Sequence, residues 1–155
     1  MKKYELTEET VTVYGKTLYR IRAVRDFGSV KTGEFGGYIE KEENLSHFGD
    51  AWVYGDARVF DNARVSGNAW VYGNAEVFNT RHFFVQGPIG SRDGYVTFYR
   101  TKDDTVEVRC GCFSGSLQEF VNQVEETHGG SRYEKEYKLA AELAKVCIRL
   151  EGESR

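Results

Sequence analysis

The sequence predicts a mainly β protein: a short left-handed parallel β-helix, preceded by an N-terminal β-hairpin and followed by a C-terminal α+β module of one hairpin and two helices. Three observations carry that fold class. Residues 51–80 write out as five six-residue lines, AWVYGD, ARVFDN, ARVSGN, AWVYGN and AEVFNT, with Ala first and Val third in each. Strand-like alternation precedes this run. Two helix-capping patterns follow it, each opening an amphipathic stripe.

Residues two apart in a strand share a face, so Ala and Val point one way and the residue between them the other. A lone six-residue strand has nothing to bury its Val against, so the lines must stack on one another. With about three hexapeptides, roughly 18 residues, per turn of the coil, residues 18 apart should lie over each other. That period puts Trp52 over Trp70 and Tyr54 over Tyr72 as an outward aromatic flank. It also puts Arg58 over Glu76, Phe60 over Phe78, Arg64 over His82 and Ser66 over Phe84. Inside stand Val53, Val59, Val65, Val71 and Val77, with Ala57, Ala63, Ala69 and Ala75 at the corners.

Four outward aromatics exceed the scattered apolar exposure of a monomer. Two explanations stand side by side. Another part of the chain, or a symmetry mate in a trimer, covers Trp52, Tyr54, Trp70 and Tyr72; or they form a stacking platform for a base or sugar ring. Extending the six-residue frame backward gives LSHFGD and IEKEEN, which starts the repeat near Ile39 and sets His47 in the Val column, where either the first turn is irregular or the His caps the end of the core. The resulting division is 1–38 for the hairpin and Gly-rich lead-in, 39–81 for the repeat, and 82–155 for the α+β module.

In the lead segment, Thr10 to Val13 and Thr17 to Val24 alternate around Tyr14, Gly15 and Lys16, a hairpin pattern. Arg20, Arg22 and Arg25 make either a cationic stripe or a solvated face. The stretch from Asp26 to Tyr38 is Gly-rich but has no phosphate-loop ending and reads as a turn-rich lead-in. After Thr80 the Ala and Val columns fail, and HFFVQ is a last repeat strand or the first strand of a new sheet. Tyr95 to Arg100 and Thr105 to Cys110 form a hairpin around Thr101 to Asp104, with Val106, Val108 and Cys110 inward. Ser116 with Glu119, and Ser131 with Glu134, cap two helices. The second helix carries Tyr137, Ala140, Ala141, Ala144 and Ile148 on one stripe, widened by Leu139, Leu143, Val146 and Leu150, so it should be buried on two sides. The terminal EGESR should fray.

Composition bounds the function. A net charge of −3 disfavours nonspecific nucleic-acid binding. No apolar run is long enough to span a bilayer and the start lacks a signal-peptide core, which points to the cytoplasm. Three cysteines, an odd number, fit a reducing compartment.

The segment KYELTEETVTVYGKTLYRIRAVRDFG, followed by GGYIEKEENLS and then AWVYGDARV-type lines, resembles the hexapeptide-repeat proteins encoded by bacteriophages and prophages. GSRDGYVTFYR and RCGCFSGSLQEF resemble the C-terminal module carried by some of them. The likeness implies a β-helical fold, a phage origin and a life in the host cytoplasm, with little biochemistry attached.

Candidate chemistry is sparse. The strand-to-helix junction CFSGSLQEF offers Ser114, Gly115 and Ser116 at a helix N-terminus. Ser91 and Arg92 in GPIGSRDG, together with Arg109, are the residues expected to join them in a small anionic ligand site. Ordinary capping and turn formation explain the same residues. Cys110, Cys112 and His128 have no recognisable zinc spacing and no evident activating base, so no metal, cofactor or catalytic residue is expected. The leading expectation is a non-catalytic phage accessory protein, a homo-oligomer with a trimer favoured, that binds a host protein or sequesters a nucleotide-like signal in counter-defence. The alternatives are an acyltransferase with His47 or His82 as base, and a structural scaffold.

Overall fold

The computed structural model describes residues 2–151. All but the first residue of the EGESR terminus lies outside them. The chain divides into two compact units, residues 1–80 and 81–155.

In the first unit β1 (Tyr4–Val13) and β2 (Lys16–Ala23) form an antiparallel hairpin, turning at Tyr14 and Gly15, both with positive φ. Strand β3 (Phe35–Ile39) runs antiparallel to β2. The two-residue strands β4 (Trp52–Val53), β5 (Arg58–Val59), β6 (Trp70–Val71) and β7 (Glu76–Val77) follow. They do not gather into one structure: β5 and β7 extend a five-stranded mixed sheet, order β1-β2-β3-β5-β7, whereas β4 and β6 pair as a separate two-stranded ladder.

This overturns the left-handed parallel β-helix as the fold class. The molecule is an assembly of small mixed and antiparallel sheets with two helices. The physical reason is length. The five regular lines supply two columns with two members and the third with one, and the N-terminal hairpin completes the larger sheet in antiparallel fashion instead of a further parallel strand. The 18-residue register itself is present: Trp52 pairs with Trp70, Val53 with Val71, Arg58 with Glu76 and Val59 with Val77, all in parallel. The five Val side chains are fully buried, as are Ala51, Ala57, Ala63 and Ala69.

The backward frame is displaced. Ile39 pairs with Val59 and Leu45 bridges Val65, so Ile39 and Leu45 stand in the Val column and not the Ala column. Two residues beyond the six-residue period therefore fall between Leu45 and Val53. His47 sits in that insertion, not in the buried column. The lead-in is also more than turns: a Cβ on Gly36 would lie 2.6 Å from the Val53 carbonyl oxygen, and one on Gly37 2.5 Å from that of Ala57. Both glycines belong to β3, and only a bare backbone allows this approach.

The second unit is an antiparallel meander of β8 (Phe83–Ile89), β9 (Gly94–Arg100), β10 (Val106–Cys110) and β11 (Phe113–Ser116), followed by α1 (Leu117–His128) and α2 (Arg132–Cys147). Its strands lie in the order β11-β10-β9-β8. HFFVQ is thus the start of this sheet. Val96, Phe98 and Val108 form one core with Phe120 and Val124 of α1, Ala140, Ala141 and Ala144 of α2, and Ile148. The Ser116–Glu119 capping box forms in both directions. Leu139, Leu143 and Val146 depart from expectation and stay exposed. Among the described residues no helix is long and apolar enough to cross a membrane.

Candidate functional site

The four repeat aromatics divide into one covered and three partly exposed. Trp52 is fully buried, meeting Phe27 edge-on at 5.1 Å and Tyr4 at 6.4 Å between ring centres. The cover over this flank residue comes from the chain itself, the first of the two explanations given for the aromatics: the start of β1 and the segment around Phe27 pack on it. Tyr54 stacks on Trp70 at 6.0 Å with planes 10° apart and meets Tyr72 at 5.2 Å. The Trp70 indole N–H donates to the Asp50 carbonyl at 3.3 Å. Phe60 and Phe78 stack at 5.0 Å, with Tyr14 against both rings and its hydroxyl donating to Glu76.

The cover over Trp52 is a polar clasp. The Lys3 ammonium, fully buried, donates to the Ala51 carbonyl at 2.7 Å and stands 4.7 Å from the centre of the Phe27 ring. Burial, helped by the nearby Arg25 charge and opposed by Asp50, pulls its pKa down to about 8. The Tyr4 hydroxyl donates to the Leu45 carbonyl at 2.7 Å, and burial raises its pKa above the ordinary tyrosine value, with Glu42 and Glu43 adding to the effect. His47 stacks flat on Tyr4 at 4.1 Å. Its Nδ1 accepts from the Lys3 backbone N–H at 3.0 Å, so its proton sits on Nε2 and faces Glu42 at 2.8 Å. Both ring nitrogens of His47 are thereby engaged.

Two of the three arginines of the lead segment are paired with acids locally, and the third is held on a backbone carbonyl. Arg20 bonds Glu9, Tyr38 and Asp56, Arg22 bonds Glu5, and Arg25 donates to the His47 carbonyl.

The expected anion site in the second unit does not assemble. Ser116 accepts from the Glu119 backbone, and its own N–H donates to the Glu119 carboxylate at 2.8 Å. These bonds from Ser116 hold the Glu119 carboxyl below its usual range. A carboxylate of the chain already occupies the position that an external anion would take. A Cβ on Gly115 would meet that same carboxylate at 2.9 Å. Ser91 and Arg92 lie in the β8–β9 turn, at the end of the sheet where β10 finishes, whereas Ser116 pairs with Glu107 at the other end. Arg109 and Ser114 are brought together, opposite each other in register, on the sheet face away from Val108 and Cys110.

Cys110 packs against the helix-side core, and burial raises its pKa, with a hydrogen bond to Tyr137 opposing. His128 leans on Tyr133 and Tyr137. Among the described residues no group of three or more His, Cys, Asp or Glu side chains could hold a metal ion. His82 is 1% exposed, beside Glu151, and its pKa is lowered by burial and then by Arg100. Sequence reasoning missed the Lys3–Tyr4–His47 clasp, in which His47 lies more than 40 residues along the chain from the adjacent Lys3 and Tyr4. No local pattern signals it. No family model matches the chain, and no curated protein matches it.

Proposed function

We propose that this chain is a non-catalytic binding protein whose recognition surface is the Tyr54–Trp70–Tyr72 stack, and that its ligand presents a flat ring, as a nucleotide-like signal does. The observation that carries the reading is the near-parallel Tyr54–Trp70 pair, held on the rigid β4–β6 ladder and its flank. Stacking of a base on such a ring contributes about 1–3 kcal/mol. The phage origin implied by the resemblance places this binding in counter-defence, where holding a host signal achieves what turnover would. The acyl-transfer alternative lacks a base in reach of substrate: His47 has both nitrogens engaged and His82 is buried.

The test is isothermal calorimetry of the full chain against a panel of cyclic and ADP-ribose-type nucleotides, repeated with Trp70→Ala. The expected result is heat with at least one nucleotide and a loss of affinity of about tenfold or more in the variant. No heat across the panel, or affinity unchanged in Trp70→Ala, overturns the reading.

A further inference from the structure

Helix α2 is apolar on two opposed sides, and only one of them is used within the chain. Ala140, Ala141 and Ala144 face the core at 4%, 1% and 0% exposure, whereas Leu139, Leu143 and Val146 stand at 69%, 46% and 69%. Steps of four and then three residues place those three on one stripe, the spacing of a helix–helix seam. A stripe of this kind on an otherwise charged helix marks a contact surface.

The charges beside the stripe indicate what covers it. Lys135 and Glu142 are seven residues apart and stand on the same flank of the stripe. Arg132 and Lys135 make no ion pair among the described residues, while the acids along the helix are Glu134, paired with Lys138, Glu136, which accepts from the Gly90 backbone N–H, and Glu142, paired with Lys145. A second copy of the helix laid antiparallel turns that flank onto itself, so Lys135 meets Glu142 of the second copy and Glu142 meets Lys135 of the second copy. A parallel copy would set this flank against the opposite one, and the Lys135–Glu142 pair would not form. The antiparallel arrangement also opposes the two helix dipoles favourably.

We infer that α2 is a self-association surface, pairing antiparallel with α2 of a second copy about a two-fold axis close to Leu139. Leu139 then meets its own symmetry mate. Leu143 and Val146 lie on the aliphatic stems of Lys135 and Arg132 of the second copy, whose charged heads stay in water. One helix face buries roughly 400 Å² per copy, about half of what a stable interface needs. The dimer is therefore weak and concentration-dependent. This inference is independent of the ring-binding reading, because it rests on the second unit alone.

Sedimentation velocity of the full chain over a concentration series tests it. The expected result is a monomer–dimer equilibrium, with Leu143→Glu monomeric at every concentration while its denaturation midpoint at low concentration is unchanged. Lys135→Glu should weaken the dimer about tenfold, and adding Glu142→Lys should restore it to within about twofold. In a Cys112→Ser background, Leu139→Cys should oxidise to a covalent dimer. A monomer throughout, a trimer, a Leu143→Glu variant that still dimerises, or a Leu139→Cys chain that does not cross-link overturns the inference. The charge-swap pair decides the matter should the Leu143 variant fail to fold.

Discussion

Trp52 and Trp70 occupy the same position of the same repeated line and pair with each other across a parallel ladder, yet one is sealed and the other is partly open. The backbone treats them alike. What separates them is chain that lies outside the repeat: Tyr4, Phe27 and the Lys3 ammonium close over Trp52, whereas Trp70 stacks on Tyr54 of the repeat itself. Repeat register fixes where a residue stands along the ladder. Its exposure is set by whatever non-repeated segment happens to lie across that flank.

Truncation should give the largest difference. Trp52→Ala removes a fully buried indole and should cost about 3–5 kcal/mol of stability, whereas Trp70→Ala should cost less than about 1.5 kcal/mol. Urea denaturation of the two variants against the parent provides the measurement. Equal losses would mean that the clasp contributes nothing and that the ladder alone stabilises both rings.

Much of the repeat was legible because its cause is local. Alternation of Ala and Val, and the 18-residue spacing of Trp52 and Trp70, follow from strand periodicity, and the burial of the five Val side chains followed with them. The helix caps at Ser116 and Ser131 were legible for the same reason. Fold class was not. Whether a short run of such lines becomes its own coil or is absorbed into a mixed sheet depends on the antiparallel pairing of β2 with β3, which the hexapeptide pattern does not contain. His47 was misplaced because the one large apolar residue beside it, Phe48, is exposed and marks no inward column, so nothing in the stretch 46–50 fixes the frame. The anion site failed because Glu119, recognised as a capping partner, was not also recognised as the anion.

A subtler effect should come from pH, since the clasp over Trp52 holds two shifted groups, Lys3 and Tyr4. Lys3 titrates near 8 in the folded chain against an ordinary value of 10.5, so above pH 8 the folded state releases a proton that the unfolded state keeps. Stability then rises with pH. Tyr4 acts in the opposite sense: its raised pKa keeps the phenol protonated after the unfolded chain has ionised, so it lowers stability as pH climbs past about 10. The expected profile climbs by about 1 kcal/mol between pH 8 and 10 and turns over above that. Urea midpoints at pH 7.5, 9, 10 and 11 trace it, and Lys3→Met should flatten the rising limb. A rising limb that survives Lys3→Met would assign it to another group.

The gentlest perturbation leaves stability nearly untouched and reads the two environments directly. Trp70→Phe leaves Trp52 as the sole indole, and Trp52→Phe leaves Trp70; Phe keeps an aromatic ring at each site. Trp52 lies among Tyr4, Phe27 and the bare backbone of Gly36, whose own Cβ would fall 2.8 Å from the indole, so no path admits a quencher. Trp70 has its N–H on the Asp50 carbonyl and is incompletely covered. Acrylamide should quench the Trp52→Phe chain several times more steeply than the Trp70→Phe chain, whose emission should also lie further to the blue. Similar quenching slopes would show that the segment carrying Tyr4 and Lys3 lifts away from the ladder in solution, and the asymmetry between the two tryptophans would then belong to a closed state that is only one of those the chain visits.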